Sequence, residues 1–190
     1  MTSILEVEQL DTLSSNASST ITIGGTNATT LDLGSNVTGG SLTMTPAFEA
    51  YQNPAQTPGN NVWTKLTITN ETFDTDSAYD TTNSKFTVPS GQAGTYFFVL
   101  EAGGYDSSTT LNIVRLGIYK NGSLIKLNTS LDTDATSIQT YFVPMTAILQ
   151  LSAGDYIEPY INAAYGGTFT TLANASGTQL RFMGFRIIGL

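Results

Sequence analysis

From Pro46 to the C-terminus, no stretch of this chain carries an apolar repeat of 3.6 residues. Short runs alternate with period two instead, and Gly, Asn, Asp and Pro cut between them. That pattern builds strands, because side chains on an extended backbone point alternately to opposite faces. Candidate strands fall at 47–52, 62–69, 85–88, 95–102, 111–119, 123–128, 138–143, 147–152, 155–163 and 179–189. Asn121-Gly122, between two of them, is the pair that a type I′ hairpin turn favours. Gly103-Gly104, Ala153-Gly154-Asp155 and Gly166-Gly167 mark further turns. About ten strands at this spacing predict an all-β antiparallel sandwich of jelly-roll type.

Two of the candidates are apolar on both faces. In 95–102, Tyr96, Phe98 and Leu100 point one way, and Phe97 and Val99 the other. In 179–189, Leu180, Phe182 and Ile188 oppose Met183, Phe185 and Ile187. A strand on the outside of a lone sandwich is polar on one face. One sheet is therefore covered twice, and no helical segment is available as the second cover. A second copy of the chain is the economical cover, and loops folded over the face are the alternative. The sequence thus predicts a homotrimer whose core and interface draw on Tyr96, Phe97, Phe98, Val99, Phe182, Met183, Phe185 and Ile187. Burying two further aromatics per chain contributes about 3–6 kcal/mol before association costs.

Residues 1–45 differ from the rest. They are poor in aromatics, and short apolar pairs recur at Ile21-Thr22-Ile23, Leu31-Asp32-Leu33 and Leu42-Thr43-Met44, separated by Gly-rich turns. Strands this short form no core alone. The segment reads either as a β-repeat stem or as a Thr-rich disordered leader. As a stem it would attach the head to other structural proteins of a particle. Ile4, Leu5, Val7 and Leu10 are then the apolar residues that add to a neighbour's sheet. The opening MTSILEVEQL has neither a basic start nor a long apolar run, so it does not read as a secretory signal. That favours release as part of a particle.

Composition narrows the function. Only 12% of residues are charged, against about 25% in an ordinary globular chain. Seven Lys and Arg and a net charge of -8 leave no stripe to track phosphates, so no nucleic acid is expected. No run is long and apolar enough for a helical membrane span. With no His and no Cys, Ser-His-Asp and Cys-His catalysis and the usual zinc sites are excluded. Paired carboxylates could serve glycoside hydrolysis, but Glu49, Glu71, Glu101 and Glu158 sit in no cleft pattern. The chain is expected not to be an enzyme. Asp74, Asp76 and Asp80 offer hard oxygen ligands that suit calcium. They lack the EF-hand glycine and terminal glutamate, and the alternative is an ordinary solvated turn. Asp132 and Asp134 add a second acidic pair. Trp63, the one tryptophan, reads as a core or interface residue or as a surface that stacks on a sugar.

Several pieces in order carry a resemblance. They are Ala47-Phe48-Glu49-Ala50, Phe73-Asp74, Tyr79-Asp80, Ser84-Lys85-Phe86-Thr87-Val88-Pro89 and Ala93-Gly94-Thr95-Tyr96-Phe97-Phe98. Then come Ile118-Tyr119-Lys120-Asn121-Gly122, Leu151-Ser152-Ala153-Gly154-Asp155-Tyr156-Ile157 and Phe182-Met183-Gly184-Phe185-Arg186-Ile187. Residues 47–190 resemble the globular-head domains of complement and of the tumour-necrosis-factor superfamily. The resemblance implies a jelly roll and a compact homotrimer that binds other molecules and catalyses nothing. There is no Gly-X-Y repeat or heptad stalk. Instead Ile21–Gly34, ITIGGTNATTLDLG, is similar to leaders of phage structural proteins. The expected role is a virion-surface fibre, spike or capsid decoration. Its head, 46–190, would face outward toward a host receptor or glycan. A secreted head of complement type is the other reading.

Overall fold

A computed structural model describes residues 44–132 and 138–187. They belong to one unit, Ser41–Leu190. Residues 1–43 lie outside the described residues, and with them Ile4, Leu5, Val7 and Leu10; so do Asp134 and Ile188.

Among the described residues, twelve strands form two antiparallel sheets. In the first, β6 (Gly94–Asp106) pairs with β9 (Thr140–Leu151) along one edge. Along its other edge it pairs with β12 (Arg181–Ile187) and the short β11 (Phe169–Thr171). β1 (Ala47–Tyr51) follows β12, and β3 (Asn70–Asp74) follows β1. In the second sheet, β10 (Tyr156–Ala164) has β7 (Ile113–Lys120) on one side, and then β8 (Ser123–Asp132). On its other side lie β2 (Thr64–Lys65) and β5 (Lys85–Thr87), with β4 (Tyr79–Asp80) beyond β5. This is the all-β, jelly-roll-like sandwich that the sequence predicts.

The core lies between the sheets and is built from rings. Phe48 stands 4.9 Å from Tyr79, 5.1 Å from Phe86 and 5.1 Å from Phe182, centroid to centroid. Phe98 stacks on Phe182 and meets Phe86 edge-on. Tyr79 keeps its hydroxyl satisfied by donating to the Ile68 carbonyl at 2.9 Å, so burial pushes its phenol up without leaving an orphan donor.

Three strand boundaries differ from expectation, each for a physical reason. Of 62–69, only Thr64–Lys65 pairs in a ladder. Leu66 and Ile68 alternate because both are buried while the chain crosses from the second sheet to the first; Ile68 N–H is met by the Ser84 hydroxyl at 2.9 Å. The runs 138–143 and 147–152 fuse into β9 through Pro144. β9 pairs only with β6, and an edge strand accommodates a residue that has no N–H. β11 is too short for a period to register.

The predicted hairpin is present. Asn121 and Gly122 both take positive φ, 51° and 79°, and join β7 to β8. Asn121 Oδ1 also accepts the Tyr156 N–H, and its Nδ2 donates to Asp155. Asp155 is thereby held at about 2, first by Lys120 at 2.7 Å, then by the Ser152 N–H and Asn121.

Two outcomes follow. Phe48→Ala removes the ring at the centre of the aromatic core and should cost about 3–5 kcal/mol in denaturant unfolding. Asp155 has a lowered folded pKa, so its contribution is complete above its unfolded value of 3.8 and is lost as pH falls toward about 2. Asp155→Asn should therefore flatten the loss of thermal stability between those two pH values, read by circular dichroism.

Candidate functional site

Because the pleat sends alternate side chains to opposite faces, the register of the first sheet defines rows on its outer face. One row runs Ile148, Phe97, Phe185, Ala47. The next runs Thr146, Val99, Met183, Glu49, Phe73. The Phe97 and Phe185 rings lie 5.5 Å apart. Between these residues is a depression of about 210 Å³. Phe97, Val99, Met183, Phe185 and Ile187 are only partly buried, and Ile148 and Phe73 are 61% and 47% exposed.

The structure thus divides the residues assigned from sequence to core and interface. Tyr96, Phe98 and Phe182 are at 0% exposure and belong to the core. Phe97, Val99, Met183, Phe185 and Ile187 form the outer face. Phe73, Phe142 and Ile148 join that face and were not anticipated, because only the pairing of β1 with β3 and of β6 with β9 brings them there. The alternation of β9, with Phe142, Pro144, Thr146 and Ile148 opposed to buried Val143, Met145, Ala147 and Leu149, is the signal that would have found two of them.

A charged row borders the apolar ones. Arg181 donates to Glu101 Oε2 from Nη2 at 2.6 Å and from Nε at 3.0 Å, and its Nη1 lies 3.9 Å from Glu49. Two of the four carboxylates considered for hydrolysis are therefore held by one guanidinium. Glu158, on β10, is paired with Lys65 at 3.0 Å. Glu71, on β3, is raised by partial burial and by Asp74. No two of the four form an acid–base pair flanking a cleft.

A second feature, of mixed polarity, lies at the open edge between β8 and β9. It is a cleft of about 440 Å³ lined by Lys126, Leu127, Asn128, Pro144, Met145 and Thr146. Asn128 spans it by donating to the Pro144 carbonyl at 3.0 Å, and Leu127 is 53% exposed.

The calcium candidates are placed apart in their bonding. Asp74 accepts the backbone N–H groups of Asp76 and Tyr79. Asp76 accepts from the Thr75 hydroxyl and from Gln92. Asp80 accepts from Thr82 and Asn83, and the Asn83 bonds hold its carboxyl below the usual value. Among the described residues, no group of three or more acidic, His or Cys side chains is arranged to hold a metal ion. Asp74 and Asp80 each close their own turn, as Asp does in solvated loops.

No protein-family model matches the sequence, and no curated protein matches it significantly. Solved structures do match. The globular domain of a zebrafish complement 1qA protein is similar over 76% of this chain and 99% of its own, with a TM-score of 0.51 and 18% identity. Murine APRIL is similar over 74% of this chain and 98% of its own, with a TM-score of 0.53 and 9% identity. At these identities the likeness is one of fold.

Replacing Arg181 by Met leaves Glu49 and Glu101 facing each other without their shared cation. This should lower unfolding stability by about 1 kcal/mol, given the partial exposure of the pair, as measured in denaturant at low salt.

Proposed function

We propose that the head, residues 46–190, associates with copies of itself into a homotrimer and works outside the cell by binding another molecule, with no catalytic step. The observation that carries this reading is the outer face of the first sheet. It presents Phe97, Phe185, Met183 and Val99 together with exposed Ile148 and Phe73. A contiguous apolar face of this kind on a soluble domain marks a contact surface. A ring of copies needs two different surfaces that fit each other, since a heterologous contact closes by rotation. The chain has two: the flat face of the first sheet and the open β8–β9 edge with Leu127 and Pro144. Three-fold closure is what the resemblance to complement and tumour-necrosis-factor heads implies.

The likeness in fold to a complement globular domain and to APRIL supports the binding-head reading over the virion-surface one. The virion reading rests on residues 1–45 and draws no support from the described residues. Those residues remain the proposed attachment segment, joined to a head that folds without them.

The test is the mass of the particle in solution. Light scattering should give three times the chain mass, both for the full chain and for residues 46–190 alone. A stable monomer at micromolar concentration overturns the proposal. Phe185→Asp puts a charge on the outer face and should give a folded monomer by circular dichroism. Phe98→Asp instead strikes the core and should unfold the head.

A further inference from the structure

The second sheet has an outer face of its own, and its character differs from that of the first. On β10, Tyr156, Glu158, Tyr160 and Asn162 alternate with the buried Ile157, Ile161 and Ala163, so they face outward. On β7, Arg115, Gly117 and Tyr119 do the same. Tyr160 pairs with Gly117 and Glu158 with Tyr119. The missing side chain at Gly117 makes room for Trp63: a Cβ there would lie 2.9 Å from the indole Cζ3. Trp63 meets Tyr119 edge-on at 6.2 Å, and Tyr119 stacks on Tyr160 at 3.8 Å. None of these three rings belongs to the hydrophobic core, and all are only partly buried. Trp63 is thus neither a core residue nor part of the outer face of the first sheet.

We propose that Trp63, Tyr119 and Tyr160 form a platform that binds the pyranose rings of a carbohydrate chain. A sugar ring has an apolar C–H face that packs on an aromatic ring and a rim of hydroxyls that need fixed donors and acceptors. Both are here. Lys65 is fixed between Glu158 and the Asn83 carbonyl, at 3.0 and 2.8 Å. Glu158 is 8% exposed, and its Oε2 accepts no hydrogen bond from the described residues. Asn162, in the same outward row, is 3% exposed, and among the described residues its Oδ1 has no donor.

Charge points the same way. The chain has only seven Lys and Arg. Three of them, Lys65, Lys85 and Arg115, share the outward parity of Tyr160, Tyr156 and Asn162. Lys65 is ion-paired, and Lys85 sits 5.1 Å over the Tyr156 ring. The face therefore offers oriented N–H groups beside rings rather than a loose field of charge. That suits hydroxyls and their lone pairs better than phosphates.

The single tryptophan makes the site self-reporting. The probes are short cello-, chito-, manno- and galacturono-oligosaccharides, titrated against Trp63 emission in the full chain. At least one series should quench the emission and shift it to the blue. Tyr119→Ala and Tyr160→Ala should each weaken that response about tenfold, the loss of one stacked ring. If either alanine variant fails to fold by circular dichroism, Tyr119→Phe and Tyr160→Phe keep the stack and remove the hydroxyls, and should show a smaller loss. An unchanged emission with every series at millimolar sugar overturns the proposal. So does a response that survives all of these variants, which puts the sugar elsewhere. An emission shift that follows protein concentration alone also overturns it, since the face then belongs to another copy.

Discussion

β6 and β12 are paired over seven residues at the middle of the first sheet, and everything outside that ladder takes its position from their register. In most half-buried sheets, alternation itself protects register, because a slip by one residue would send every apolar side chain to water. Here both faces are apolar, so alternation protects little. Two local fits fix the register instead. Phe98 lies opposite Gly184, where a Cβ would come within 2.5 Å of the ring. Glu101 lies opposite Arg181, and the two form a two-pronged ion pair. A slipped pairing loses the space for the ring and the partner for the charge together.

Fixing that ladder decides what the rest can do. The side of β6 that carries Phe98 stacks on Phe182 beside Phe48 and holds the two sheets together. The side that carries Phe97 is left over and builds an exposed apolar surface with Phe185 and Ile148. At β7 and β10 the second sheet does the reverse: the inner residues Ile157, Ile161, Leu116 and Ile118 are plain aliphatics, and the rings of Tyr119 and Tyr160 are on the outside beside the Lys65–Glu158 ion pair. One sandwich thus presents two chemically distinct faces, one suited to association through area and one to recognition through rings and fixed polar groups.

The strands that the sequence made most legible are those whose period two is driven by large rings. Tyr96, Phe98 and Phe182 are buried, with Phe97, Val99, Met183 and Phe185 opposite, as alternation requires. The Asn121-Gly122 turn was legible because few pairs accept two positive φ values in succession. Leu66 and Ile68 were misleading for the converse reason. A crossing segment that buries alternate residues has the same pattern as a strand and lacks only a continuous ladder. The outer patch was half legible. Its β6 and β12 members follow from one segment at a time, but Phe73 and Ile148 enter only through cross-strand pairing, which is a property of two segments. Trp63 was ambiguous because its setting depends on an absence, the side chain missing at Gly117 two strands away.

An acidic chain that associates with itself faces mutual repulsion, since each copy brings a net charge of -8. The repulsion matters only where copies approach within about 8–10 Å, the screening distance in physiological salt. Along the border of the apolar rows of the first sheet, Arg181 binds Glu101 and lies 3.9 Å from Glu49. Asp74 and Asp80 hold their charges in hydrogen bonds to their own loops, and Asp76 accepts from Thr75 and from Gln92. Most of the cations are on the other sheet, where Lys65 pairs with Glu158 and Lys120 with Asp155. The face that has area to bury is therefore the face where little charge must be desolvated. Uncompensated acidity elsewhere keeps the remaining surface from joining indiscriminately. Association directed to one face needs both conditions, an apolar patch and bordering charges that are already paired, and β12 supplies each of them in the same strand, through Phe185 and Arg181.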